Sequence, residues 1–254
     1  MIIKMYINDT YIGFYLIAAI IGLGIGQLSD WMNERLPEKK KIFTREIFRK
    51  YKIDFKPNYI LMIITAIIYV GLVYKFGIQD TFIGNLNLIK YVLLTPMLLS
   101  TFVIDYKKQI IPNRLNLTMF EIGATITFIY GFSNVAIAID MLLGMITGVA
   151  IFTIIALMGS LFYGKDAMGL GDIKFIGALG LYVGFTNIIT ISIMAFFIGA
   201  ILGVILIIFK RKKSDEYMSF GPFIVIATFI SIFIPVEIVI TTLKIIFTLG
   251  MYKR

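Results

Sequence analysis

Cysteine and histidine are both absent from this chain of 254 residues. Their absence excludes disulfides, Cys/His zinc sites, Ser-His-Asp triads and thiol nucleophiles within the chain. Charged residues are also scarce, at 15% of the sequence compared with roughly 25% in ordinary soluble domains. Hydrolytic chemistry in this chain would therefore depend on carboxylates, or on a serine with a lysine.

Apolar residues are in excess, at 59% of the sequence compared with roughly 45–50% in soluble domains. Several apolar runs approach the length of about 20 residues that a helix needs to cross a bilayer. Seven such runs, and a shorter one at 173–185, lie at 11–28, 59–74, 88–104, 115–132, 135–162, 188–209 and 220–249. The sequence predicts an all-α, polytopic bundle of about eight transmembrane helices, folded as a single membrane domain over 1–254.

The basic residues are unevenly distributed. Of the 24 Lys and Arg residues, 18 fall in segments that would share one side of the membrane, namely 30–58, 105–114, 164–174 and 210–219. The positive-inside rule makes these segments cytoplasmic, with 30–58 as a basic insertion, and places both termini outside. Topology and attraction to anionic lipids then explain the net charge of +9. We expect membrane lipids as partners and no nucleic acid.

Glycines recur at short spacings inside the predicted spans. The triplet Gly22, Gly24 and Gly26 resembles a dinucleotide-binding fingerprint, but no strand precedes it. Close helix packing is the better explanation, because small residues four apart let two membrane helices approach each other. The same packing is expected at three further pairs: Gly144 and Gly148, Gly180 and Gly184, and Gly199 and Gly203.

Two aspartates fall at ends of predicted spans. Asp105 ends the third span and Asp172 opens the sixth, so topology alone predicts that both reach the cytoplasmic boundary. Two carboxyls a few ångströms apart share a proton, which supplies a base to activate water and an acid to protonate a leaving amine. Gly169 and Gly171 would let a substrate backbone approach Asp172 and would permit unusual dihedrals. The simpler alternative makes Asp172 a helix N-cap and Asp105 an ordinary boundary residue.

The segment around Asp172 resembles a known family. AMGLGDIKFIGALGLYVG, at 167–184, contains the GxGD motif of intramembrane aspartic proteases and is similar to the corresponding segment of type IV prepilin peptidases. Further matches follow the same order along the chain: NERLP at 33–37, FVIDYKKQIIPNRLNL at 102–117 and MSFGPF at 218–223.

The resemblance implies that Asp105 and Asp172 are the catalytic pair, with Gly169, Gly171 and Lys174 as supporting motif residues. It implies prepilin or pseudopilin substrates, whose short basic leader is removed at the bacterial inner membrane, and no metal or other cofactor for the peptidase reaction. Many members carry two CxxC pairs in the first cytoplasmic loop and use S-adenosylmethionine to methylate the new N-terminus. This chain lacks the cysteines, so zinc is not expected, and S-adenosylmethionine remains a candidate cofactor.

Acidic side chains on the cytoplasmic face would be suited to a basic leader. The candidates for this contact are Glu34, Glu38, Asp166 and Glu216. Two acids predicted to lie deeper, Glu121 and Glu237, are expected to be structural, either paired within the bundle or close to an interface. Asp140 is expected to mark the outer start of the fifth span.

Three other functions remain open from the sequence. A proton-coupled secondary transporter could use Asp105 and Asp172, although transport carboxylates are expected near mid-membrane. A Ser-Lys protease could use Ser29 or Ser219, although both are predicted inside, whereas such leader peptidases act outside. A non-enzymatic membrane scaffold would not need glycines in front of a boundary acid.

Overall fold

The computed structural model describes residues 6–8, 10–38, 40, 57–163, 168–209 and 219–248. Nine helices occur in these residues: α1 (Ile12–Arg35), α2 (Tyr59–Phe76), α3 (Phe82–Lys108), α4 (Asn113–Ser133), α5 (Val135–Tyr163), α6 (Leu170–Val183), α7 (Phe185–Ile208), α8 (Gly221–Phe233) and α9 (Val236–Phe247). A short antiparallel hairpin, β1 (Tyr6–Ile7) with β2 (Thr10–Tyr11), precedes α1. The predicted all-α bundle is confirmed.

Six of the helices, α1 to α5 and α7, are long and apolar enough to cross a membrane. Their outer faces are apolar, as large side chains such as Ile60 and Leu161 are 74% and 83% exposed. In water such surfaces would be costly, whereas in a bilayer they contact lipid. The chain is therefore an all-α membrane bundle, and the predicted count of eight spans is approximate.

The last predicted span, 220–249, is not one helix. It is divided into α8 and α9, because Ile234 adopts an extended conformation (φ −103°, ψ 132°) and Pro235 follows it. Proline lacks the N–H for a helical hydrogen bond, and it biases the preceding residue away from helical dihedrals. The prediction of one continuous span was therefore wrong here. At 13 residues, α8 is shorter than a helix that crosses the hydrocarbon core unaided.

The chain divides into two compact units, 1–119 and 120–254. The single membrane domain expected from the sequence stays a prediction. In the first unit α1 packs closely along α2, and a Cβ added to Gly22 or Gly26 would lie 2.6 Å from a main-chain Cα of α2. Gly24 has no neighbouring atom within 4 Å of an added Cβ. Helix packing is thus confirmed for Gly22 and Gly26, and was wrong for Gly24.

A polar clamp joins α1 to the start of α2. The side-chain amide of Asn58 donates to the Asp30 carboxylate (2.7 Å), and the Asn58 main-chain N–H donates to the side-chain oxygen of Gln27 (3.0 Å). The Asn58 side chain also accepts a hydrogen bond from the Leu61 N–H (3.2 Å), which makes it the N-cap of α2. The predicted insertion 30–58 therefore has its two end residues hydrogen-bonded to each other, although α1 continues to Arg35 and residues 39 and 41–56 lie outside the described residues.

A proline lies within α3, the helix that leads to Asp105. Pro96 has no N–H to donate to the carbonyl of Val92, four residues earlier. The hydroxyl of Tyr69, buried on α2, donates a hydrogen bond to that carbonyl instead (2.9 Å). The Tyr69 side chain thus replaces the main-chain hydrogen bond that Pro96 cannot make within α3.

In the second unit, α5 and α6 approach through glycines. A Cβ on Gly180 would collide with the main chain of Gly144, and one on Gly148 would lie 3.0 Å from the Ile176 carbonyl. Gly184 packs against α5 as expected, because its Cα would lie 2.9 Å from a Cβ added to Gly144. It ends α6 at φ +79°, and the Asp140 carboxylate beside it accepts a hydrogen bond from the Phe185 N–H (3.2 Å).

Aromatic rings join α5, α7 and α8 in the second unit. Phe220 lies 5.9 Å from the ring centroid of Phe152 and 4.7 Å from that of Phe196. Phe223 packs edge-on against Phe220, and its ring would lie 3.0 Å from a Cβ on Gly199. The described part of the MSFGPF segment thus anchors the start of α8, and the packing expected at Gly199 is confirmed.

Candidate active site

Asp105 lies in the last turn of α3 and is only 3% exposed. Its main-chain carbonyl accepts a hydrogen bond from the Gln109 N–H (2.9 Å), and Gln109 ends the helix in the left-handed conformation (φ 53°, ψ 36°). Thr101 and Ile104, on the neighbouring turn, are buried as well. The carboxylate is therefore fixed on the packed face of the helix where the chain leaves it.

Asp172 lies in the first turn of α6 and is 5% exposed. Its position on the buried face follows from helical spacing, because Phe175, Ile176 and Leu179 lie three, four and seven residues further on and have no exposed surface. Lys174 points to another face of the same helix and is exposed. A carboxylate at an otherwise apolar position is the feature of this helix that packing alone does not explain.

Two expectations about the start of α6 were wrong. The N-cap is Gly169, and Asp172 is the third residue of the helix, with its N–H donating to the Gly169 carbonyl (3.0 Å). Gly169 has φ −72° and ψ 141°, which is an extended conformation open to any residue. Among the described residues, the glycines with positive φ are Gly77 and Gly184. What Gly169 and Gly171 contribute at this place is the lack of a side chain rather than an unusual backbone.

The two aspartates lie in opposite fields. Asp172 lies in the first turn of α6, which is the positive end of that helix dipole, whereas Asp105 is near the negative end of α3. The exposed cations Lys107 and Lys108 follow Asp105 in the last turn of α3. Among the described residues, no group of three or more His, Cys, Asp or Glu side chains could hold a metal ion.

A comparison with protein families finds a match for the middle of the chain. The Type IV leader peptidase family matches residues 92–208, a segment that contains both aspartates and the GLGD sequence. Over these residues the chain is similar to this family.

Curated relatives agree with this family. The chain is 28% identical over 140 residues to a protein of Aeromonas hydrophila (55% of this chain, 47% of the relative) and 29% identical over 173 residues to one of Xanthomonas campestris pv. campestris (67% and 56%). A protein of Pseudomonas aeruginosa is 30% identical over 140 residues (55% and 47%). All three are named prepilin leader peptidase/N-methyltransferase. The chain spans about half the length of the curated relatives it matches, and no solved structure matches it.

The two residues that the sequence resemblance implies to be catalytic fall in different units of this structure. Asp105 belongs to the first unit and Asp172 to the second. Each lies within one turn of a helix end, as the sequence predicted, and not at the mid-helix position expected of a transport carboxylate. Their convergence on one site stays a prediction.

The acids expected to contact a basic leader differ in their surroundings. Glu38 is exposed and pairs with Lys40 (2.6 Å), whose hydrogen bond and charge lower the pKa of Glu38 below its usual range. Glu34 is exposed at the end of α1. Asp166 and Glu216 lie outside the described residues. Two of the four candidates are therefore placed on the first unit, near the end of α1.

The remaining polar candidates have local roles or none. Glu121 and Glu237 are exposed on α4 and α9, which does not fit pairing within the bundle, and a position close to an interface stays a prediction. The Ser29 hydroxyl donates to the carbonyl of Ile25 in its own helix (2.9 Å). A nucleophilic serine would instead donate its proton to a base such as lysine. Asp140 lies in the second turn of α5 and accepts a hydrogen bond from the start of α7. No local pattern indicates that contact, since its partner is 45 residues away.

Proposed function

We propose that this chain is a prepilin leader peptidase of the bacterial inner membrane, with both termini outside, that cuts prepilins or pseudopilins at the cytoplasmic boundary. The observation that carries the proposal is the burial of two carboxylates at helix ends inside the segment matched by the family. Burial of an acid is costly, so two buried acids at helix ends in the segment matched by the family support a catalytic use.

In the proposed reaction, Asp105 and Asp172 hold one water molecule against the scissile carbonyl. The ionised aspartate takes a proton from the water while the water oxygen attacks the carbonyl carbon. The protonated aspartate then gives its proton to the leaving amine as the C–N bond breaks, and the pair again holds one proton.

Gly169 and Gly171 are proposed to keep the approach to Asp172 open. A substrate main chain in extended form needs space next to the attacked carbonyl, and side chains at these two positions would occupy it. This role requires no unusual dihedral, in agreement with the ordinary backbone of Gly169.

Methylation of the new N-terminus by S-adenosylmethionine is a second proposed activity, and it rests on the relatives' names. The glycine pattern most suggestive of a nucleotide, Gly22 to Gly26, does not fit one, because two of its members pack against α2. Incubation of the purified protein with a cleaved pilin and cofactor carrying a labelled methyl group tests the activity. Good cleavage without label transfer would leave a peptidase only.

The proposed peptidase is tested with a prepilin encoded in the same genome and the protein in lipid nanodiscs. Asp105→Asn and Asp172→Asn should each abolish cleavage while inserting into membranes at the wild-type level. Glu121→Gln is the matched control, because it neutralises an exposed acid of the same family segment and should retain full activity. Full cleavage by either aspartate variant would overturn the proposal.

A further inference from the structure

A polar cavity lies in the first unit beside the end of α3. Its volume is about 530 Å³, within the range of roughly 300–1,000 Å³ usual for ligand pockets. One wall comes from the end of α1 and the residues just after it, including Asn33, Arg35 and Glu38, and the other from Ile104, Lys107 and Lys108 of α3. Ile104 and Lys108 are one residue before and three residues after Asp105. The cavity therefore adjoins the helical turn that bears the proposed catalytic carboxylate.

Asn33 is the unusual member of this wall. It is 9% exposed, and neither its side-chain oxygen nor its side-chain nitrogen has a hydrogen-bond partner among the described residues. A buried amide without partners is unfavourable, and most buried polar groups in proteins are hydrogen-bonded. Asn33 is also the first residue of the NERLP segment, to which neither the fold nor the dyad gives a role. A bound molecule could supply both of the missing partners.

The chemistry of the amide indicates the kind of molecule. A carboxamide offers one acceptor and one donor group, which match the N–H and C=O of a peptide main chain. A phosphate group would satisfy the donor alone. Recognition by charge is less favoured, because Glu38 already pairs with Lys40, and the Asp30 carboxylate already accepts from Asn58.

We propose that the cavity binds the main chain of an extended peptide, with the Asn33 amide hydrogen-bonded to one peptide unit of the leader. The proposal rests on the proposed peptidase function and identifies where the first unit holds the substrate. The leader is the part of the substrate that stays polar and cytoplasmic, so a polar cavity at the cytoplasmic ends of two helices suits it. Main-chain recognition also tolerates variation of leader side chains.

The first experiment measures binding separately from cleavage. A fluorescent peptide spanning the leader and cleavage point is titrated into nanodiscs that contain the Asp172→Asn protein, whose substitution lies in the other unit. Asn33→Leu, which has a similar volume and no polar atoms, should weaken binding about 10-fold or more, the equivalent of two lost hydrogen bonds. Asn87→Leu, at an exposed asparagine of α3, is the matched control and should bind as the parent does. Unchanged binding by Asn33→Leu would overturn the proposal.

A second experiment identifies the main chain as the recognised group. Methylating single backbone nitrogens of the peptide, one position at a time, should reveal one position at which the parent loses about 10-fold in affinity. The same peptide should bind the Asn33→Leu protein with no further loss, because the partner is already gone. Equal losses in both proteins would contradict a hydrogen bond to Asn33.

Stability without substrate provides a test of a structural role. Because the amide is unpaired, Asn33→Leu should melt at the same or a higher temperature than the parent in the absence of peptide. A clear fall in melting temperature would mean that the amide is already bonded within the protein and would overturn the proposal. So would a selective loss of phosphatidylglycerol binding with peptide affinity intact, which would make the cavity a lipid headgroup site.

The cleavage assay separates this proposal from the peptidase proposal. If the wild-type protein cuts prepilin and Asn33→Leu cuts it with an unchanged KM, only the cavity assignment fails. If the wild type binds the leader through Asn33 and does not cut it, only the peptidase proposal fails. The expected result is a KM raised about 10-fold with kcat within about twofold, since the amide contacts the leader away from the reacting bond.

Discussion

The hydrogen bond from Tyr69 to the Val92 carbonyl allows a quantitative test of how α3 tolerates Pro96. Removing the hydroxyl by Tyr69→Phe leaves that carbonyl without its donor, in surroundings where no water replaces it. Interhelical hydrogen bonds in membrane proteins contribute about 0.6–2 kcal/mol. We expect a value in the upper part of this range, about 1–2 kcal/mol, because the proline removes the alternative partner.

A double-mutant cycle isolates this effect from the loss of packing. Pro96→Ala restores an N–H that donates to Val92 within α3, so the carbonyl no longer depends on the tyrosine. In the Pro96→Ala protein, Tyr69→Phe should lower the free energy of unfolding by only a few tenths of a kcal/mol. The coupling free energy between the two positions is then about 1 kcal/mol.

The four proteins of the cycle are compared by reversible unfolding in mixed detergent micelles, followed by tryptophan fluorescence of Trp31, the only tryptophan in the chain. The reasoning would be refuted if Tyr69→Phe lowered the free energy of unfolding equally in the wild-type protein and in the Pro96→Ala variant. In that case the hydroxyl would contribute by general packing, and its bond to Val92 would have no relation to the proline.

The other substitutions test backbone features and are measured by the same unfolding assay. Gly22→Ala should lower the free energy of unfolding by about 2–3 kcal/mol, because the added methyl group collides with α2. Gly24→Ala, where the added methyl group meets open space, should leave the free energy of unfolding unchanged or raise it by up to about 1 kcal/mol. Equal effects of the two substitutions would mean that α1 and α2 separate easily. Gly184→Ala should lower the free energy of unfolding by at least about 2 kcal/mol, because Gly184 has a positive φ and lies against the Asp140 carboxylate. Gly131→Ala, where the added methyl group meets open space, is the control and should cause no such loss. Gln109→Gly should gain about 0.5–1 kcal/mol by relieving a left-handed residue, and a loss would show that its side chain stabilises the end of α3.

Most of the helices could be predicted because membrane spans depend on a local property, the length of an apolar run. The break at Pro235 was missed because hydropathy alone ignores the missing N–H of proline. The distinction between Gly22, Gly26 and Gly24 was also available from helical spacing, since residues four apart share a face and residues two apart do not. Both features depend on backbone geometry, which the length of an apolar run does not reveal.

Features that depend on distant partners were beyond the sequence. Pro96 shows that the Val92 carbonyl lacks a helical donor, but nothing local identifies Tyr69 as its replacement. The same holds for Asp140, whose contact with the start of α7 requires α5 and α7 to meet. For the candidate site, the helix-end positions of Asp105 and Asp172 were predicted, because topology determines them. The burial of Asn33 was not, because it depends on how α1 and α3 pack.

The clamp between Asp30 and Asn58 has a consequence for how this part of the protein can change. The clamp holds the start of α2 beside α1 through Gln27, Asp30 and Asn58, all of which lie outside 41–56. Material added or deleted within 41–56 should thus leave the helical pair intact. A reporter domain could be grafted there, and the same freedom would let evolution attach or discard an accessory module without rebuilding the membrane core.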